Sequence, residues 1–200
     1  MSKHNVCPWR IGYLLASPIR KLAQDPARIL EPYVHPGMTV LEPGPEMGFF
    51  TLELARMVGS QGRVVAVDVQ PKMIAGLRRR AERAGLLDRI DARVVPDSTM
   101  ALDADEAAVD FVLAFAMVHE TRSAATFFAE AARAMKPGAS LLLAEPTGHV
   151  SDEEFMRELA LAAEAGLSAA GRPKSRAAAR RSLRSPNAPA AKIAQTPAHP

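Results

Sequence analysis

The sequence predicts an α/β protein with a doubly wound, mostly parallel sheet and helices on both faces. Three observations predict it. Short apolar runs (MTVLEP, RVVAVDV, VDFVLAFA, SLLLAEP) recur along the chain. Segments with helical spacing of apolar residues separate them. The runs are apolar almost throughout rather than alternating, which marks strands buried on both faces, and helical crossovers between such strands make the sheet parallel and right-handed.

Asp25 and Pro26 form an N-cap and first-turn pair that opens a helix through about residue 33. His35-Pro36-Gly37 then turns the chain into the first strand, MTVLEP. Residues 49–58 (FFTLELARMV) have helical periodicity, ended by Gly59-Ser60-Gln61-Gly62. RVVAVDV is the second strand, and PKMIAGLRRRAERAG the helix after it, with Arg78-Arg79-Arg80 as a solvated face. IDARVV and VDFVLAFA are strands three and four, with a short helix expected near residues 103–108. TRSAATFFAEAARAM is helical, Lys136-Pro137-Gly138 punctuates, and SLLLAEP is strand five. In SDEEFMRELALAAEAG, Ser151 and Glu154 have the spacing of a capping box. Two further segments, SAAGRPKS and RAAARRSL, stand where C-terminal edge strands would follow. Alanine and arginine give them little to pack, so those edge strands are expected to be weak or missing.

Charge divides the chain into a body and a tail. The formal net charge is +3, but residues 171–200 hold seven basic residues and no acidic ones. The first 170 residues therefore carry 18 basic against 22 acidic residues, a net of −4. An acidic body and a tail without interleaved aromatics disfavour a nucleic-acid partner. The tail holds five prolines and reads as a basic, Pro/Ala-rich and largely disordered segment. No apolar stretch approaches the ~18 residues that span a membrane, and the patch at residues 11–16 is too short for an export signal, so a cytoplasmic location is the default expectation. The single cysteine, Cys7, excludes an internal disulfide and a cysteine-based zinc site, and no metal site is expected.

In a doubly wound sheet, ligands bind beyond the carboxyl ends of the strands. The loop after strand one, LEPGPEMGFFT, departs from the dinucleotide pattern G-x-G-x-x-G, which would need glycine at Glu46 and Phe49. Phosphates there would meet Glu42 and Glu46, whereas a cationic or zwitterionic ligand would not be repelled. Asp68 ends strand two, where a carboxylate can accept hydrogen bonds from both hydroxyls of a ribose. Asp97, after strand three, could accept from an adenine amine, and Val69 and Phe115 offer apolar surface to the ring. These residues describe a site for an adenosine without phosphates that carries a positive charge near Glu42.

The chain resembles the class I S-adenosylmethionine (SAM)-dependent methyltransferases over roughly residues 25–165, in particular small prokaryotic methyltransferase-domain proteins. LEPGPEMG resembles the family's first motif (a carboxylate, then Gly-x-Gly-x-Gly), VVAVDVQPKM the second, RVVPDST the third, VDFVLAFAMVHE the fourth and MKPGASLLLAEP the motif before strand five. The resemblance implies a Rossmann-like fold, SAM as cofactor and direct in-line methyl transfer to an acceptor, expected to be a small molecule. It implies that Gly44 and Gly48 shape the loop around the methionine part of SAM, with Glu42 near its amino group. Asp68 would hold the ribose, Val69 would pack on the adenine, Asp97 and Ser98 would lie at the adenine amine, and Ala114 and Phe115 would line the floor. Glu46 replaces the family's middle glycine, where it could crowd the cofactor or bind its ammonium.

His119 and Glu120, after strand four, are the candidate catalytic residues, with His149, Cys7 and His4 as further substrate-side candidates. Three domains follow: residues 1–24 as a candidate cap on the substrate side, 25–170 as the SAM-binding domain, and 171–200 as the tail. The alternative to a working enzyme is a protein that binds SAM without turnover, suggested by Glu46 and the weak edge strands.

Overall fold

The computed structural model describes residues 24–102, 108–146, 148–171 and 179–184. Seven strands form one sheet in the order β3-β2-β1-β4-β5-β7-β6. They are β1 (Thr39–Pro43), β2 (Arg63–Asp68), β3 (Ile90–Val94), β4 (Val109–Phe115), β5 (Met135–Glu145), β6 (Ser168–Gly171) and β7 (Ala179–Arg184). The first five are parallel, and β7 runs antiparallel between β5 and β6. Helices α1 (Pro26–Leu30), α2 (Thr51–Val58), α3 (Pro71–Arg83), α4 (Ala124–Ala134) and α5 (Asp152–Glu164) cover the sheet.

The two-residue period of the strands divides the core cleanly. Val40, Val64, Ala66, Phe111, Leu113 and Leu142 point to one face, where Leu30 of α1, Leu54 of α2 and Leu77 of α3 pack. Leu41, Val65, Val67, Val112, Leu141 and Leu143 point to the other, against Phe127 and Phe128 of α4 and Phe155 of α5. Both faces of the central strands are thus closed to water, as their apolar runs require.

Local signals start and stop the helices. Asp25 accepts a hydrogen bond from the Ala27 amide at 3.1 Å, and Ser151 with Glu154 forms the full capping box of α5. The first helix stops at Leu30, short of residue 33, and residues 49 and 50 precede α2. Lys136-Pro137-Gly138 does not end an element: β5 runs through it from Met135.

Two expectations are corrected. The edge strands form, as a four-residue β6 and a six-residue β7. β5 would otherwise present a free ladder of backbone N–H and C=O groups, and β7 satisfies it from Ser140 to Glu145 by main-chain pairing that needs no large side chains. Residues 179–184 are therefore not disordered tail. The arginines of α3 are also more than a solvated face: Arg78 donates to the Ala92 carbonyl at 2.6 Å, and Arg80 donates to the Met47 carbonyl. Residues 103–107 of the expected short helix and residues 1–23 of the expected 1–24 cap lie outside the described residues. Among the described residues no helix is long and apolar enough to cross a membrane.

One glycine ties the sheet's working edge to the helix layer. Gly48 has φ +87°, and a Cβ there would stand 2.6 Å from Leu77 Cδ1. Backbone strain and overpacking act together at this position, each costing on the order of 1–3 kcal/mol. Gly48→Ala should lower the urea unfolding midpoint by the equivalent of about 2–4 kcal/mol; an unchanged midpoint would refute the packing argument.

Candidate functional site

A cavity of about 1050 Å³ opens at the carboxyl ends of β1 to β5. It lies at the point where strand order reverses between β1 and β4.

Its first wall is the loop from β1 to α2. Gly44 sits at φ +66°, and a Cβ there would be 3.1 Å from Met117 Cβ, so glycine permits the loop to approach the end of β4. Glu46 has φ +53°, the left-handed conformation that disfavours any residue with a Cβ by about 1–2 kcal/mol. The backbone here keeps the shape a glycine would take while carrying a carboxylate into the cavity lining.

Glu42 stands behind this loop. It is 3 % exposed, and its Oε2 has no hydrogen-bond partner, as is also true of the neighbouring Thr51 Oγ1. Burial raises its pKa to about 8; Thr51 opposes the rise and Glu46 adds to it. Glu42 and Glu46 share a second, water-sized void of about 10 Å³ beside Gly44.

Asp68, at the tip of β2, lines the main cavity and accepts the Gln70 amide at 2.7 Å. Burial raises its pKa to about 6, and the charges of Glu120 and Glu46 push the same way. Val69 lines the cavity beside it, as do Ser98 and Phe115. Asp97 is there too, in an ion pair with Arg122 at 2.6 Å. Glu130 of α4 pins this wall by accepting from the Thr99 hydroxyl and the Met100 amide, both at 2.6 Å.

At the far side stands His119, in a 3-10 turn (Val118–Glu120) after β4. Its Nδ1 lies 2.5 Å from Glu145 Oε2. A carboxylate oxygen accepts, so Nδ1 carries the proton and Nε2 is the remaining functional nitrogen. Glu145 is fully buried at the end of β5, and its Oε1 accepts the Val118 amide at 2.8 Å. The hydrogen bond to Glu145 raises the His119 pKa; burial opposes the rise, and the charges of Glu145, Glu120 and Glu158 add to it. Glu120 Oε1 is 3.9 Å from Nε2, and the His149 ring lies edge-on at 5.9 Å. Glu158 of α5, 7 % exposed with an unpartnered Oε2, has its pKa raised to about 7 by burial and by Glu145, with His119 opposing.

Residues 40–138 match the family described as "Methyltransferase domain". The chain carries a class I SAM-dependent methyltransferase domain. Among curated relatives it is similar to a catechol O-methyltransferase of Mycobacterium tuberculosis, with 47 % identity over 28 % of this chain and 26 % of that protein. It is also similar to a ribosomal protein L11 methyltransferase of Pelotomaculum thermopropionicum, with 36 % identity over 58 % of this chain and 34 % of that protein. The matched segments thus span about a quarter to a third of these relatives. A SAM-dependent methyltransferase from Aquifex aeolicus shares the fold, with TM-score 0.76, 24 % identity, and 90 % of this chain and 98 % of that one covered.

The methyltransferase domain brings nine of the twelve expected site residues to the main cavity: Gly44, Glu46, Asp68, Val69, Asp97, Ser98, Phe115, His119 and Glu120 share its lining.

 Glu42, Gly48 and Ala114 do not line it. Ala114 is one residue out of phase: its side chain points into the core against α4 and α5, fully buried, so it forms no floor. Gly48 acts through Leu77, and Glu42 reaches only the small void. Glu158 and Glu130 carry site geometry that no motif in the sequence signalled, and the motif MKPGASLLLAEP holds Glu145 without marking its role. Glu145 was legible only as a polar residue just after an apolar strand. Cys7 and His4 lie outside the described residues. Among the described residues no group of His, Cys, Asp and Glu is arranged to hold a metal ion.

The buried acids make stability fall as pH rises. Glu42, Asp68 and Glu158 have raised folded pKa values, so between about pH 4.5 and 8 the folded protein holds protons that the unfolded chain has released. Each contributes a loss of up to about 1.4 kcal/mol per pH unit within its own window as pH rises. His119, also raised, acts in the same direction, because its stabilising contribution is lost as pH rises through its folded value. The ligand-free protein should therefore be more stable at pH 5 than at pH 8 in urea titrations. Glu42→Gln should flatten the curve between pH 6 and 8; an unaltered slope would show that Glu42 does not titrate there.

Proposed function

We propose that this protein transfers a methyl group from SAM to a small-molecule acceptor by direct in-line displacement. The observation that carries the proposal is the unpartnered, buried oxygen of Glu42 behind a glycine-shaped loop, with Asp68 on the adjoining strand tip. A buried carboxylate without a partner is costly unless a cation meets it, and the ammonium of SAM is such a cation. The small void beside Glu42 is of the size that a bridging water needs.

When bound, the cofactor supplies an electrophilic methyl group on a positively charged sulfur. The chain's residues then have separate tasks. Asp68 accepts from ribose hydroxyls, and Val69 and Phe115 cover the adenine faces. Ser98 and Asp97 lie at the adenine edge, where Asp97 exchanges some of its Arg122 pairing for the ring amine. Glu46 adds negative charge beside the methionine part of the cofactor. His119 and Glu120 stand on the acceptor side and handle its proton. The lining holds the reacting groups in line, which is the main requirement of such a transfer.

The relatives include enzymes named for a catechol and for a ribosomal protein. The cavity volume of about 1050 Å³ has room for a small organic acceptor, and its acidic lining disfavours a nucleic acid.

Calorimetry with SAM and S-adenosylhomocysteine tests the cofactor assignment. Asp68→Ala should weaken binding by on the order of 2 kcal/mol, roughly thirtyfold, through loss of charged hydrogen bonds. Absence of binding by both the wild type and Glu46→Gly would overturn the assignment. Binding restored only in Glu46→Gly would favour a protein that has lost its cofactor through the left-handed glutamate.

A further inference from the structure

His119 and Glu145 form a hydrogen-bonded pair whose outer nitrogen borders the cavity, and this pair bears on the chemical class of the acceptor. The inference rests on the proposed methyl transfer and deepens it. Glu145 is fully buried with both oxygens engaged, one by the Val118 amide and one by His119 Nδ1. The imidazole is therefore fixed in one tautomer, with Nε2 as its proton-accepting atom. Glu120 lies beside Nε2, His149 stands against the ring, and Glu154 and Glu158 of α5 complete the charged surroundings of His119.

We propose that the acceptor is an uncharged, weakly acidic hydroxyl compound of the phenol type, methylated on oxygen, with His119 Nε2 receiving the hydroxyl proton and Glu145 acting as its positioning residue. In the transfer the O–H bond breaks toward Nε2 and a new O–C bond forms. The sulfonium S–C bond breaks with its electron pair staying on sulfur, so the products are a methyl ether, S-adenosylhomocysteine and a protonated imidazole.

Other acceptors fit this pair less well. A neutral amine attacks through its own lone pair and loses its proton afterwards, so it needs no oriented base inside the cavity. A thiol, with pKa near ~8.5, is already partly ionised in water. Carboxylates and phosphates carry no proton to remove, and they would face Glu46, Asp68 and Glu120. An aliphatic alcohol lies on the order of nine pKa units above an imidazole, against roughly three or four for a phenol, and each unit opposes proton transfer about tenfold. A phenol is the acceptor for which this base is both needed and sufficient.

The test uses 4-nitrophenol, whose anion absorbs at a longer wavelength than its neutral form. In the ligand-free protein at pH 6.5, bound 4-nitrophenol should show the anion's spectrum, and His119→Asn should abolish that shift. Glu145→Gln should weaken it, and Glu145→Asp should partly rescue it if the buried glutamine disturbs folding. With SAM present, uncharged phenols should be methylated on oxygen, faster as pH rises through the raised pKa of His119. His119→Asn should slow that reaction 100-fold or more, and Glu145→Gln should move the pH inflection downward. S-adenosylhomocysteine binding by the same samples separates the two readings. No such binding would defeat the methyltransferase assignment. Intact binding with methylation of amines or carboxylates but not phenols, or rates on phenols indifferent to His119→Asn, would overturn the acceptor assignment alone.

Discussion

The buried carboxylate at the end of β1 is the constraint around which the functional edge is organised. β1 pairs with β2 on one side and β4 on the other, and helices cover both of its faces. Every side chain on it must therefore be apolar or pay for its polarity in desolvation. Val40 and Leu41 obey, and Glu42 does not. An ionised group there would cost several kcal/mol unless compensated, so Glu42 keeps its proton up to about pH 8. The chain must also turn at once, because α2 has to return across the sheet. Gly44 and Gly48 allow that turn with positive φ angles, and Glu46 adopts one against its own preference.

β5 ends in a second buried glutamate, and the contrast between the two is instructive. Glu42 and Glu145 each stand near the carboxyl end of a parallel strand, with Glu145 three residues farther along the sheet. Glu145 is fully satisfied by a backbone amide and an imidazole. Glu42 has an oxygen with no partner. A satisfied buried acid fixes the geometry of its neighbours, whereas an unsatisfied one is completed by a ligand. The difference in hydrogen bonding assigns Glu145 to holding protein groups and, on the proposed function, leaves Glu42 to meet a cation.

The parallel core was legible because its signal is local and repeated: five apolar runs, each bounded by turn residues, with helical spacing between them. The strand-end residues that line the cavity were legible for the same reason, since a strand boundary fixes where a side chain emerges. Asp68 and Phe115 were placed by that logic, and Ala114 was misplaced by one residue of it, which in a strand means the opposite face. β6 and β7 were poorly legible, because β7 is placed by main-chain pairing with β5 and β6 by pairing with β7, which their alanine- and arginine-rich sequences do not signal. Glu145 with His119 and Glu130 with Thr99 were not legible at all. The members of these pairs are separated by 26 and 31 positions, and only the folded sheet brings them together.

The carboxylates around the cavity also influence one another, and this decides which ligand charge they favour. Glu46 raises the pKa of both Glu42 and Asp68, and Glu120 raises that of Asp68 as well. These groups repel across the cavity, and protons relieve the repulsion in the ligand-free protein. A cationic ligand relieves it without protons, and each pKa unit so recovered is worth about 1.4 kcal/mol toward binding. A phosphate would add to the repulsion instead, which is why the glycine-bearing loop is not a nucleotide cradle despite its shape. On the proposed reaction the same logic extends to product release. Transfer removes the positive charge from sulfur, the carboxylates lose part of what held them in balance, and the attraction that favoured the loaded cofactor weakens for the spent one.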